Sequence, residues 1–159
     1  PTMRVATWRC RRGAAAGAVA SWRSTDRMYL IDTNVVSELR KPRPNLRVIA
    51  WLEQVSDRDL FLSAVTVGEL QAGVEITRRQ DPAKAAEIEA WIDQVAAVWN
   101  VLPLDARTLR LWARLMHGRS DTLIDDALIA ATAQAHGLTI VTRNVRDFAV
   151  FEVPTLDPF

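Results

Sequence analysis

Short apolar runs alternate with longer, helically periodic segments from Met28 to the end of the chain. The apolar runs that predict buried strands are, in chain order, MYLID, DLFLS, NVLPL, LTIVT and FEVP. The segments that predict helices are VVSEL, NLRVIAWLEQV, SAVTVGELQAGVEIT, about 83–98, 106–116 and TLIDDALIAATAQAHG, and TRNVRDF is predicted to be a loop. Strands that alternate with helices favour a parallel sheet covered on both faces, so the predicted fold class is α/β with three layers, α/β/α.

Residues that start or stop helices support these boundaries. Asp81 and Asp105 are predicted N-caps, and Asp81 is followed by a proline at the first helical position. Gly137 is predicted to end the last long helix. Thr122 and Asp125 have the spacing of a capping box, which predicts that Asp125 has a structural role at the start of that helix.

The residues before Met28 show neither helical nor strand periodicity, and their net charge differs from that of the remainder of the chain. Residues 1–27 carry six arginines against Asp26 alone, a net charge of +5, which leaves −4 on the remainder of a chain whose total is +1. We therefore predict a disordered basic extension over 1–27 and one domain over 28–159. Two alternatives are a secretory signal, for which GAAAGAVA is short and interrupted by glycine, and an RNA-binding arm that uses Trp8 and Trp22.

The composition limits the class of protein. A length of 159 residues, 49% of them hydrophobic and 25% charged, is typical of a single globular domain with a sizeable core. The single cysteine, Cys10, excludes an internal disulfide and a cysteine-based zinc cluster. No apolar run is long enough to cross a membrane as a helix. We expect a soluble, cytoplasmic protein with no membrane partner.

Polar residues follow the ends of two predicted strands. Asp32 ends the first strand, and because Thr33 and Asn34 are also good helix caps, Asp32 is predicted to be free for a ligand. Asn144 and Asp147 follow the LTIVT strand, although both are also common turn residues. Ligands in open α/β sheets bind beyond the carboxyl ends of the strands, so these residues are candidates for a site.

Two further acids, Glu69 and Asp126, lie in largely apolar helical patterns, where a charge is costly without a partner. Glu69 is either a ligand or part of a capping box with Thr66, for which Ser63 is a competing cap. Asp126 is rotated by about 100° from Asp125 and shares a helix face with residues that should be buried. Those residues are Ile129, Ala130 and Ala133.

Acids from these separate segments are expected to meet at one edge of the sheet. Hard oxygen ligands without histidine or cysteine suit Mg²⁺ or Mn²⁺. A carboxylate-bound divalent ion activates water and neutralises developing charge in phosphoryl chemistry. Hydrolysis of a phosphodiester is the predicted reaction.

The strings MYLIDTNVVSEL, SAVTVGEL and DDALIAATAQAHGLTIVTRNVRDF, in this order, resemble a PIN-domain ribonuclease of the VapC type, the toxin of a bacterial type II toxin–antitoxin pair. The resemblance covers 28 to about 157. It implies Mg²⁺-dependent RNA cleavage, with Asp32, Glu69 and Asp126 as the catalytic and metal-binding acids. It also implies a homodimer and a cognate antitoxin protein. The fourth polar position is Asn144 where many relatives have aspartate, and Asp147 is a possible substitute.

Two other functions remain open at this point. A haloacid-dehalogenase-like phosphatase shares an aspartate after the first strand, but it needs a second aspartate where this chain has Asn34, and a core lysine that neither Lys41 nor Lys84 provides. The non-enzymatic alternative is a PIN-like protein that binds RNA or a partner without cutting.

RNA binding by an acidic domain requires local clusters of arginine or lysine. We favour Arg143 and Arg146 because they flank the predicted site. The other basic groups are Arg40, Lys41, Arg43 and Arg47, and Arg107, Arg110 and Arg114 on one helix face. The tryptophans of the domain are predicted to be core or dimer contacts, and they are Trp51, Trp91, Trp99 and Trp112.

Overall fold

The structure, a computed structural model, describes residues 27–159. The predicted basic extension lies outside the described residues except for Arg27, so its independence from the domain stays a prediction. None of the helices within 27–159 is long and apolar enough to cross a bilayer.

A sheet of five parallel strands forms the middle of the described domain. The strands are β1 (Tyr29–Ile31), β2 (Leu60–Ser63), β3 (Asn100–Leu102), β4 (Thr139–Val141) and β5 (Thr155–Leu156). Their order across the sheet is β3-β2-β1-β4-β5. β1 is central, with Tyr29 in register with Leu60 on one side and with Thr139 on the other. The carboxyl ends of β1 and β4 therefore lie side by side.

Seven α-helices connect the strands of the described domain. They are α1 (Thr33–Glu38), α2 (Leu46–Gln54), α3 (Ala64–Arg78), α4 (Pro82–Val98), α5 (Ala106–Met116), α6 (Ile124–His136) and α7 (Val145–Ala149). Short 3-10 turns precede β2 at Asp57–Asp59 and α6 at Asp121–Leu123. The predicted caps Asp81 and Asp105 accept hydrogen bonds from the backbones of their helices, and Gly137 ends α6 with a left-handed φ of 67°.

Successive residues of each strand point to opposite faces of the sheet, which separates two apolar clusters. Ile31 and Val141 face a cluster formed with α1, α2, α3 and α4, whereas Leu30 and Ile140 face one formed with α6 and the chain after it. The predicted three-layer α/β/α architecture is thereby confirmed. The tryptophans pack on these clusters as predicted for core residues, with Trp91 and Trp99 buried.

Two predicted elements near the end of the chain are wrong. TRNVRDF, predicted to be a loop, contains α7, and FEVP is not a strand because the last strand is Thr155–Leu156. Phe148 and Phe151 are both buried in the second cluster. A helical turn places residues three apart on one face, so burying both rings favours a helix where a strand would direct them to opposite sides. The chain then turns at Glu152, whose φ is 55°.

Candidate active site

Asp32 lies at the carboxyl end of the central strand and is 6% exposed. Its backbone N–H donates to the carbonyl oxygen of Val141 (3.0 Å), which continues the pairing of β1 with β4. Its Oδ1 accepts from the Thr33 backbone N–H (2.7 Å), so Asp32 is itself the N-cap of α1. The prediction that Thr33 or Asn34 would cap this helix is wrong. Asp32 both starts the helix and faces the sheet edge.

The other carboxylate oxygen of Asp32 is held by two side chains that the sequence did not single out as site residues. Its Oδ2 accepts from Asn34 Nδ2 (2.5 Å) and from Thr142 Oγ1 (2.6 Å). Asn34 also links the start of α1 to the residues that follow β4. Its Nδ2 lies 3.1 Å from Thr142 Oγ1, and its Oδ1 accepts a hydrogen bond from the Arg143 backbone N–H at 3.1 Å. A hydroxyl at the carboxyl end of an apolar strand was the available signal for Thr142.

Glu69 lies on α3, whose N-cap is Ser63, because the Ser63 hydroxyl accepts from the Val65 backbone N–H (3.2 Å). The alternative capping box with Thr66 is therefore not formed. Instead, Glu69 Oε2 accepts a hydrogen bond from Thr33 Oγ1, which is contributed by α1. Thr33 thus ties Glu69 to the segment that carries Asp32.

Asp125 and Asp126 occupy the first turn of α6. The predicted capping box of Thr122 and Asp125 is wrong, because α6 has no side-chain cap and Thr122 lies in the preceding 3-10 turn. The hydroxyl of Ser120 accepts from the Thr122 backbone N–H instead (3.3 Å). Asp125 is exposed, whereas Asp126 is half-buried and forms no ion pair within residues 27–159. The helix dipole favours both charges at this end, but burial and the neighbouring acids outweigh it at Asp126, whose pKa is raised.

The carboxylates of Asp32, Glu69 and Asp126 influence one another. Burial raises the pKa of each of them above its ordinary value, and nearby negative charges raise it further. Glu69 is affected by Asp32, Asp125 and Asp126, while Asp126 is affected by Asp147, Asp32 and Asp125. The three predicted acids therefore share one electrostatic environment, and the structure adds Asp147 to it.

Asn144 and Asp147 differ in their relation to this site. Asp147, on α7, is exposed but close enough to raise the pKa values of Asp32 and Asp126. Asn144 precedes α7, its side chain makes no capping hydrogen bond, and its backbone N–H donates to Thr142 Oγ1 (2.9 Å). Asn144 therefore touches the site through its backbone.

The donor set fits a hard divalent cation. Asp32, Glu69 and Asp126 offer only oxygen ligands, and none of them forms an ion pair with a described arginine or lysine. Within residues 27–159, no three Asp, Glu, His or Cys side chains are already drawn together as closely as a metal site requires. Repulsion between these carboxylates opposes such closeness, and a bound cation would remove that repulsion.

The two arginines favoured for RNA binding are exposed beside this edge. The Arg143 guanidinium lies over the ring of Phe159, 5.5 Å from its centroid. It also faces Glu38, a buried acid that sequence reasoning missed. Burial disfavours the charged form of Glu38, but hydrogen bonds from Lys41 Nζ and the Asn45 backbone N–H outweigh burial and lower its pKa. The positive charge of Arg143 therefore also stabilises the charged form of Glu38 within the domain.

Comparison with known proteins places this geometry in a family. The model of the PIN domain matches residues 29–152, a range that contains every candidate site residue named above. The chain belongs to the PIN-domain family. It is 35% identical to Toxin FitB of Neisseria gonorrhoeae over 139 residues, which cover 83% of this chain and 99% of that protein. It is 36% identical to VapC ribonuclease Y4jK of Sinorhizobium fredii over 140 residues, 83% of this chain and 98% of the relative.

Solved structures agree with this assignment. The FitAcB crystal structure from Neisseria gonorrhoeae matches with a TM-score of 0.73 at 34% identity, covering 82% of this chain and 98% of the other. The chain is thus a PIN-domain protein of the VapC toxin type, and the assignment replaces the haloacid-dehalogenase-like alternative.

Proposed function

We propose that this protein is a Mg²⁺-dependent endoribonuclease, the toxin of a bacterial type II toxin–antitoxin pair. The observation that carries the proposal is the group of three acids, Asp32, Glu69 and Asp126, whose pKa values are raised and whose charges no described cation neutralises. Similarity to a protein named VapC ribonuclease supports RNA as the substrate.

The three acids would hold Mg²⁺, with Mn²⁺ as a substitute. When bound, the ion supplies a water of lowered pKa and offsets the charge that develops on the phosphate. Asn34 and Thr142 orient Asp32 by donating to its Oδ2. Thr33 occupies Glu69 Oε2, which leaves Oε1 free of hydrogen bonds to described residues and available to the ion.

The assembly and location follow from the same family. We infer a homodimer, a cognate antitoxin as partner and a cytoplasmic location. Support for the antitoxin comes from a toxin–antitoxin complex from Klebsiella pneumoniae, which matches with a TM-score of 0.63 at 25% identity, and FitAB bound to a DNA fragment matches with a TM-score of 0.72 at 33% identity. Sedimentation should give twice the 17.8 kDa mass of the chain.

Incubating the purified full chain with a total RNA pool tests the proposal. We expect fragments with Mg²⁺ and none with EDTA, and Asp126→Asn should remove the activity. Asp125→Asn is the matched control, because it removes the same charge from the same helical turn. RNA that is bound but never cut, with Mg²⁺ or Mn²⁺ present, would favour the non-catalytic alternative instead.

A further inference from the structure

The outer face of α5 bears three arginines that line one groove. An open groove of about 520 Å³ is lined by these arginines and by three further residues. The arginines are Arg107, Arg110 and Arg114, and the other residues are Ala106, Leu111 and Gln134. The spacing of three and four residues places the arginines on one helix face, separated along the axis by about 4.5 and 6 Å. Leu111 and the arginine stems give the groove an apolar floor beneath a row of positive charges.

No described carboxylate pairs with these arginines, in contrast to three other basic side chains of the domain. Lys41, Arg78 and Lys84 each form an ion pair with a glutamate. The three groove arginines are exposed and form neither an ion pair nor a side-chain hydrogen bond within 27–159. The pKa of Asp105 is lowered chiefly by the hydrogen bond from the Thr108 backbone N–H and only slightly by Arg107, because the Asp105 carboxylate is engaged as the cap of α5.

The row of arginines runs toward the acidic site. α5 and α6 pack together as an antiparallel hairpin, because Asp105, at the start of α5, interacts electrostatically with His136, at the end of α6. The opposite end of α5 therefore lies beside the start of α6, where Asp126 is located. Arg114 is about 10 Å nearer to that end than Arg107, at about 1.5 Å per residue.

We propose that this groove binds the phosphodiester backbone of single-stranded RNA and leads the strand toward Asp32, Glu69 and Asp126. The identity of the polyanion rests on the proposed function, whereas the positive row rests on the structure of α5. A row of arginines about 4.5 and 6 Å apart along the helix axis can contact successive phosphates of an extended strand, and each arginine releases counterions when it neutralises a phosphate. An acidic domain with a polyanionic substrate needs such a local patch.

The test measures RNA binding without cleavage. A short fluorescein-labelled RNA is titrated with the full chain in EDTA over roughly 50 to 200 mM salt. The variant Arg107→Gln/Arg110→Gln/Arg114→Gln should lower the slope of log affinity against log salt by about 2, since each phosphate contact on a single strand contributes about 0.7. The basic residues 1–27 are present in every protein compared, so their contribution cancels in the difference.

The control removes the same charge elsewhere. Arg58→Gln/Arg79→Gln/Lys84→Gln removes three exposed positive charges that belong to none of the candidate RNA-binding groups; Arg58 and Arg79 make no ion pair within 27–159, and Lys84 pairs with Glu87. This control should keep the wild-type slope, because a side chain that does not contact a phosphate releases no counterions from the RNA. Arg110→Gln as a single change should lower the slope by about 0.7 and provides the measurement if the triple variant folds poorly.

Three results would overturn the proposal. An unchanged slope in the groove variant shows that the groove does not bind RNA. An unchanged slope together with lost binding to a polyglutamate peptide makes the groove a protein-docking surface. A change from dimer to monomer on sedimentation makes it an interface between copies. Failure of the proposed function looks different, because the slope then falls as expected while no protein cuts RNA.

Discussion

The two helical hairpins of the described domain differ in whether their charged side chains form ion pairs. In the hairpin of α3 and α4, Arg78 pairs with Glu75 (3.0 Å) and Glu89 (2.9 Å), and Gln71 donates to both acids. In the hairpin of α5 and α6, Asp126 and the groove arginines form no ion pair with any described residue.

This difference distinguishes charges that stabilise the fold from charges that do not. Arg78 lowers the pKa of Glu75 and of Glu89, so the first hairpin favours their charged forms. The pKa of Asp126 is raised, so the second hairpin holds a charge that its surroundings disfavour. A disfavoured charge at the carboxyl edge of a sheet is typical of a functional site.

The largest effect is expected for RNA cleavage by Asp126→Asn. Losing a metal-binding carboxylate should lower the rate by at least about 100-fold, beyond the range of about 10–100-fold found for groups that only orient a ligand. Asp125→Asn should leave the rate close to wild type, because Asp125 is exposed and caps nothing. Equal losses in both variants would contradict the assignment of Asp126.

Breaking the hydrogen bonds that hold Asp32 should have the next largest effect. Thr142→Val keeps the shape of the side chain but removes a donor to the buried carboxylate, and we expect the free energy of unfolding to fall by about 1–3 kcal/mol. Urea denaturation without metal measures it. Gln71→Ala, in the exposed network of the other hairpin, is the control and should change little. A larger loss in the control would show that the first hairpin contributes the greater stability.

Metal binding should stabilise the protein through the acids of the site. With Mg²⁺ or Mn²⁺ at ten times its dissociation constant, the free energy of unfolding should rise by about 1.4 kcal/mol. Asp32→Asn should abolish the rise, and Asn144→Asp should lower the Mn²⁺ concentration that is needed. A thermal melt across a metal titration measures both. If wild type and Asp32→Asn melt identically at every metal concentration, the acids do not form a cation site.

The smallest expected effect is a difference in pH dependence between the hairpins. The pKa values of Asp32, Glu69 and Asp126 are raised on folding, so the folded protein binds more protons and these acids lower stability as the pH rises above about 4. Glu75 and Glu89 have lowered pKa values, so the stability they contribute is present at neutral pH and is lost as the pH falls through those values.

Denaturation from about pH 3 to 7 without metal, at roughly quarter-unit steps, separates these contributions. Asp32→Asn should make the stability fall less as the pH rises, whereas Glu89→Gln should make it fall more. A reversed pair of slopes would contradict the contrast between the hairpins.

The sequence predicted the parts of this molecule that have local signals. An apolar run that ends in Asp32 predicts a strand with an acid at its carboxyl end, and Gly137 predicts the left-handed end of α6. Spacing also separated Asp126 from Asp125, although the capping reason given for Asp125 is wrong. The hydroxyl of Ser120 accepts a hydrogen bond from the Thr122 backbone N–H instead, and Thr122 lies in the 3-10 turn that Ser120 caps.

The parts that the sequence did not predict depend on residues far apart in the chain. Thr142 donates to Asp32 across 110 positions, and Thr33 donates to Glu69 across 36, so neither bond leaves a local pattern. The helix α7 has five residues and no side-chain cap, and its position is decided by burying Phe148 and Phe151 in one cluster. Tertiary packing outweighs the turn-forming character of its residues.

The pairing of β1 with β4 determines when the site exists during protein synthesis. Asp32 directly follows β1, the first of the described strands to be made, but its backbone partner Val141 and its side-chain partner Thr142 come from near the end of the chain. A nascent chain cannot form these two contacts of Asp32 until β4 has left the ribosome, because contacts of long sequence separation close last. The hydrogen bonds that position Asp32 at the sheet edge are therefore complete only after most of the chain has been made.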